Sequence, residues 1–243
     1  MTSVTKRRRF LAAGGAWVAA SAVLPAVADD EPKHGGKAGH EDDDEEEVTP
    51  PEDLMREHGV LRRILLIYDE ILWRRLAHDE DFPPEVLTGS AEIVRGFVED
   101  YHEKLEEEYI FPRFRKAGKS VELVDTLLAQ HRAGRVLTDA ILQRANARAL
   151  KDHGERAKLM ASLRLFARMY RPHAAREDTV LFPALRSVVS PHEFDALGDE
   201  FEDRERKLFG AEGFEGVVAQ VATLEQKLGI YDLASFTASW TEG

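Results

Sequence analysis

The chain has 243 residues, 43% of them hydrophobic, enough for one domain of ordinary size with a packed core and terminal extras. It contains no cysteine, which excludes disulfides, thiolate metal sites and cysteine nucleophiles. The net charge is −12 with no basic face, which argues against nucleic acid as a partner.

Residues 1–28 read as an export signal. Lys6, Arg7, Arg8 and Arg9 form a basic start, an Ala-rich apolar stretch follows, and Ala26-Val27-Ala28 offers a small-x-small cleavage site before Asp29. The alternative, an uncleaved anchor helix, is the weaker reading. Residues 10–28 barely reach bilayer length, and Pro25 spoils the far end. Arg7-Arg8-x-Phe10-Leu11 resembles the twin-arginine export motif, with Lys6 where Ser or Thr is usual and Ala12 where Lys is common. The resemblance implies a bacterial protein exported in the folded state and cleaved after Ala28. It would work in the periplasm or outside the cell and meet the membrane only during export.

Residues 29–52 follow as an acidic linker expected to be disordered. Through Asp53 the stretch holds twelve acids against Lys33 and Lys37 and almost nothing apolar, so it cannot bury enough surface to offset chain entropy. His34 and His40 lie among these acids and are read as part of a solvated tail.

From Pro51 onward the apolar residues step by three and four, as in Leu54, Leu61, Leu65, Tyr68 and Leu72. The pattern predicts a first helix over 54–76, a second over about 84–115 with Ala117-Gly118 as its stop, and a third over about 120–150. A fourth runs from Gly154 to about Val189, and a shorter fifth opens at Ser190-Pro191 and ends near Gly210. Long helices joined by short loops pack as antiparallel neighbours. The fold class is therefore all-α: an up-down four-helix bundle over 53–189 built from duplicated helix pairs, with a helical extension over 190–243. Pro172 is expected to disturb the fourth helix.

The duplication is visible in the chemistry-bearing residues. YHEKLEEEYIFPRF (101–114) places His102 and Glu106 four apart, before Phe111-Pro112. PHAAREDTVLFPAL (172–185) repeats the pattern with His173, Glu177 and Phe182-Pro183, each at an interval of 71 from its counterpart. Single histidines, His58 and His131, recur at an interval of 73, each with Arg four residues on (Arg62, Arg135). In a helix, residues four apart share a face about 6 Å apart along the axis, so each pair can present a nitrogen and an oxygen to one point. Either pair alone is a common surface pairing, and a lone core histidine usually has a hydrogen-bond partner. Two matched copies are hard to produce by chance. Four inward histidines and two inward carboxylates are costly in a core unless something pairs them, and two metal ions bridged by Glu106 and Glu177 would use all six, ~3.5–4 Å apart. Imidazole and carboxylate without thiolate suit iron, while Mn and Zn take the same donors. Phe111 and Phe182 are expected to pack below the site. Arg62 and Arg135 are expected to extend to the surface, with pairing to carboxylates behind the site as the lesser reading.

The order His58, His102-x-x-x-Glu106, His131, His173-x-x-x-Glu177 resembles the hemerythrin-like, or HHE cation-binding, proteins over about residues 53–188. The resemblance implies two non-haem Fe ions bridged by carboxylates and an oxo or hydroxo group. His58 and His102 would lie on one ion, and His131 and His173 on the other. Hemerythrins that carry oxygen have a further histidine where this chain has Arg135, which puts reversible carriage in doubt. Glu57, Glu103 and Tyr170 lie near enough in sequence to serve as a replacement ligand, although a salt-bridged helix face or a core tyrosine is the plainer reading. The expected function is a di-iron centre reacting with oxygen or peroxide, with no catalytic side chain assigned and no protein partner indicated. The alternatives are a binding protein that holds, delivers or senses oxygen, nitric oxide or iron, and a bundle without metal.

Overall fold

The computed structural model describes residues 48–238. The export signal, most of the acidic linker with His34 and His40, and the last five residues lie outside them. Among the described residues every regular element is helical. Thr49 and Glu52 close a capping box ahead of α1 (Pro50–Asp69), with Pro50 at its first position. The rod α2 spans 84–117. It begins after Pro83, and Gly118, in the left-handed region at φ 65°, ends it. Then come α3 (Val121–Leu142), the short α4 (Ala147–Lys151) and α5 (His153–Arg176). The expected third helix stops earlier than its apolar pattern suggested. A turn over 143–146 intervenes, and Asn146 caps α4 through its side chain.

Helices α1, α2, α3 and α5 touch in a closed ring: α1 on α2, α2 on α3, α3 on α5 and α5 on α1. Their apolar stripes meet in one core, where Leu54, Leu61, Ile64, Val94, Leu105, Leu127, Leu163 and Phe166 are all essentially buried. The extension forms α6 (Pro191–Phe209), opened by a capping box at Ser190, and α7 (Gly213–Leu228). Helix α7 lies against α1, α2 and α6 with Val217, Val221 and Leu228 inward, tied by Arg63 to Glu225 at 2.9 Å. Just beyond it Ile230 packs against the core, while Leu233 is 81% exposed. None of the described helices is long and apolar enough to cross a membrane.

The two Phe-Pro steps leave the same mark. In α2 the turn widens to π-helical over Glu106–Ile110, immediately before Phe111-Pro112. The segment after α5 widens over Glu177–Leu181, immediately before Phe182-Pro183. Proline has no N–H for the carbonyl four residues back and its ring crowds that carbonyl, so the preceding turn opens. Both of these turns start on the glutamate of the repeated motif; Glu70–Arg75 and Val94–His102 are π-wound as well, with no proline in the turn that follows. Pro172 does not interrupt α5, which continues through it to Arg176.

One polar rung crosses between α2 and α3. Buried Glu99 accepts from Thr138 Oγ1 at 2.5 Å and pairs with Arg95 at 2.7 Å. Burial raises its pKa, and although Thr138, Arg95 and Arg135 pull down, Glu103 adds to the rise and the result is about 7. With the folded pKa above the ordinary carboxylate value, the native state holds a proton between about pH 4.5 and 7 that the unfolded chain has released. This group's contribution to stability therefore falls as pH rises through that window and is flat above it. Thermal melts of Glu99→Gln should match the parent near pH 5 and exceed it by on the order of a few °C at pH 8. A gap that is constant with pH would refute the assignment.

Candidate metal centre

The six residues of the repeated pattern come together in the middle of the bundle. His58 is on α1, His102 and Glu106 on α2, His131 on α3, and His173 and Glu177 on and just after α5. None is more than 4% exposed. The Nε2 atoms of His58 and His102 are 3.1 Å apart, and those of His131 and His173 are 3.2 Å apart. Glu106 lies between the pairs, 3.6 Å from His102 Nε2 and 3.3 Å from His131 Nε2. Glu177 does the same on the other side, 3.3 Å from His58 Nε2 and 3.1 Å from His173 Nε2.

The other ring nitrogens are all engaged. His58 Nδ1 meets Asp178 at 2.7 Å and His102 Nδ1 meets Glu57 at 2.7 Å. His131 Nδ1 meets Glu107 at 3.2 Å and His173 Nδ1 meets the amide oxygen of Gln130 at 2.9 Å. In a neutral imidazole an acceptor at Nδ1 places the proton there and leaves the Nε2 lone pair facing inward. Two lone pairs 3.1 Å apart repel unless a cation lies between them or one ring is protonated. All four oxygens of Glu106 and Glu177 are buried with no hydrogen-bond partner. Apart from the imidazole Nε2 atoms 3.1–3.6 Å away, nothing among the described residues offsets their buried charge, which costs several kcal/mol even after relaxation. The donor chemistry therefore fits a metal-binding site. Donor atoms of Glu106, His131, His173 and Glu177 fall within 4.8 Å of one another, as do those of His58, His102 and Glu106.

The field at the centre is uneven. Burial drives the His102 pKa down to about 4, with Glu106 opposing and His58 assisting, so this ring is neutral at pH 7. Burial also works against a charged His131, yet Glu106, Glu107 and Glu103 outweigh it and lift its pKa to about 10. Burial likewise opposes ionisation of Glu177, but His173 and His58 hold its carboxyl well below the usual range. Burial opposes the charge on Glu107 too, and His131, Lys104 and Arg135 bring its pKa down to about 2.

Glu57, Glu103 and Tyr170 stand one step back from the Nε2 cluster. Glu57 holds His102 from behind. Glu103 accepts from Tyr170 Oη at 2.7 Å and pairs with Arg135 at 2.7 Å. Arg135 also reaches Glu107 at 2.7 Å, and Arg62 pairs with Asp178. Both arginines thus brace the carboxylates behind the histidines, which replaces the expectation that they mainly extend to the surface. Phe111 stacks on His131 at 5.4 Å between centroids, and Phe182 on His58 at 5.5 Å, so these rings clamp the site as well as fill the core. The acids Glu107 and Asp178 and the amide Gln130 hold the histidine rings and were not singled out by the sequence pattern. The repeat carried the signal, since an acid directly follows each motif glutamate, Glu107 after Glu106 and Asp178 after Glu177.

The chain belongs to the hemerythrin HHE cation-binding domain family, whose pattern matches residues 49–185 and, overlapping, 122–228. The second match starts on α3, where the internal repeat begins again. "Uncharacterized protein Rv1995" of Mycobacterium tuberculosis (strain ATCC 25618 / H37Rv) is 52% identical over 188 residues, covering 77% of this chain and 73% of the relative. "Uncharacterized protein Mb2018" of Mycobacterium bovis is similar to the same extent. No solved structure matches the chain.

Close approach of α3 and α5 depends on Gly134. A Cβ there would fall 1.9 Å from Tyr170 Oη and 2.7 Å from its Cζ. Gly134→Ala should therefore lower stability by about 1–3 kcal/mol in urea unfolding, even though Ala is the better helix former by about 1 kcal/mol. An unchanged or raised midpoint would show that Tyr170 is free to move.

Proposed function

We propose that this chain is an exported di-iron protein whose centre, set in an up-down four-helix bundle, reacts with oxygen or peroxide. His58 and His102 would hold one iron and His131 and His173 the other, with Glu106 and Glu177 bridging. One observation carries the reading. Two buried carboxylates with no hydrogen-bond partner on any oxygen face four imidazole Nε2 atoms whose Nδ1 atoms are already committed. A donor set of imidazole and carboxylate without thiolate suits iron in preference to structural zinc.

Bound iron would supply reversible redox change and polarisation of a small ligand. The chain's own residues do the rest. Asp178, Glu57, Glu107 and Gln130 fix the histidine tautomers. Phe111 and Phe182 fix the ring planes of His131 and His58. Burial of all six donors to 4% exposure or less limits access to molecules of a few atoms. The guanidinium of Arg135, held by Glu103 and Glu107, stands where oxygen-carrying hemerythrins have a further histidine and offers a metal no lone pair. This favours reaction over reversible carriage. The basic start of the chain and the Ala26-Val27-Ala28 step support export and periplasmic work.

The test is elemental analysis of protein from iron-replete medium beside His102→Ala. About two irons per chain, falling clearly in the variant, is the expected result. Less than a few tenths of an iron, unmoved by the substitution and not restored by anaerobic Fe(II), would overturn the reading. With iron in place, multiple turnovers with hydrogen peroxide would mark an enzyme, and a stoichiometric complex a binding protein.

A further inference from the structure

The supports behind the histidines repeat with the sequence. Asp178 holds His58, and its counterpart in the earlier copy of the motif, Glu107, holds His131. Arg62 pairs with Asp178, and its counterpart Arg135 pairs with Glu107. Phe182 stacks on His58 and Phe111 on His131. The residue before each single histidine holds the paired histidine beside it: Glu57 on His102, Gln130 on His173. Glu57 and Gln130 stand at the same offset as the single histidines they precede and are therefore equivalent, yet one is a carboxylate and the other an amide.

A carboxylate accepting the Nδ1–H shifts the imidazole toward imidazolate and makes Nε2 a stronger donor to a cation. A neutral amide does so much less, and losing such a carboxylate typically costs about 10–100-fold in metal affinity. The bridging carboxylates do not offset this, because Glu106 and Glu177 each approach both pairs. Counting convergent donors alone points the other way, four at the His131/His173 pair against three at the His58/His102 pair. Glu177 nevertheless lies 3.3 Å from His58 Nε2, so the fourth donor is within reach of the first pair as well. Glu103 lies 4.0 Å from His131 Nδ1, but it is paired with Arg135 and adds to a ring that Glu107 already holds, so at the paired histidines His102 and His173 it is the acceptor at Nδ1 that separates the two positions.

We propose that Gln130 makes the two metal positions unequal, so that the ion on His131 and His173 is bound more weakly and exchanges more readily than the ion on His58 and His102. The inference rests on the two-metal reading above. Its consequence is regulatory: a half-loaded state with the His58/His102 position filled is the stable form at limiting metal.

The test is an anaerobic Fe(II) titration of the full metal-free chain by calorimetry. Two neighbouring dications repel, so separated steps in the parent do not by themselves locate the weaker site, and the substitutions decide. Gln130→Glu should tighten the weaker step about tenfold and leave the stronger step in place. Glu57→Gln should weaken the stronger step about tenfold, so that the two steps draw together. Gln130→Glu is a gain of affinity at a half-exposed position, which misfolding cannot imitate. Two equal steps in the parent would overturn the inference, and so would a Gln130→Glu weaker step that does not move. Both results leave two-metal binding intact. Absence of Fe(II) uptake, unchanged in His102→Ala, would instead remove the two-metal reading and the inference with it.

Discussion

The constraint on which the rest of this protein depends is the convergence of four imidazoles and two carboxylates in a buried core. Left alone, that arrangement repels itself and strands buried charge. Everything packed around it serves to hold it in place: an acceptor behind each ring, an arginine behind two of those acceptors, and a phenyl ring flat against two of the imidazoles. The apolar core of Leu, Ile and Phe supplies the stability that such a cluster cannot. The division of labour is spatial, with polar strain at the centre and hydrophobic burial above and below it.

The widened turns connect backbone to chemistry. A proline shortly beyond each motif glutamate, Pro112 after Glu106 and Pro183 after Glu177, opens the helix where that glutamate must lean between two histidine pairs. A regular α-helix carries residues four apart on one face but fixes their spacing. An extra residue in the turn re-aims the side chain without ending the helix. The Phe-Pro step is thus one device with two parts, a ring that stacks across the bundle and a proline that loosens the turn before it.

Most of the architecture could be read from the chain in advance. Apolar spacing of three and four, the Ser190-Pro191 start and Gly118 as a stop all act locally, so the sequence carries them openly. The break after Leu142 was hidden because its apolar residues keep helical spacing across the turn, while Asn146 sets the new start. At the site, the six donors announced themselves by repetition. Their supports did not, because Glu107, Asp178, Gln130 and Arg135 are ordinary surface residue types whose role depends on which helix lies opposite. Nothing short of the packing distinguishes an arginine that reaches solvent from one that locks Glu103 and Glu107. Gly134 belongs with them: its missing side chain has meaning only once Tyr170 is known to lie across it.

The crossed supports carry a further consequence. Asp178, from the second helix pair, completes His58 in the first, and Glu107, from the first, completes His131 in the second. Neither helix pair supports all of its own histidines, and what each lacks is what a copy of itself would bring. That is the logic of a self-complementary two-fold interface, in which residue i of one partner meets residue j of the other and the reverse also holds. The single chain has the internal symmetry of a dimer of helix pairs joined end to end. Joining them is what permits Glu57 and Gln130 to differ, since two identical subunits would have to carry the same residue at both places.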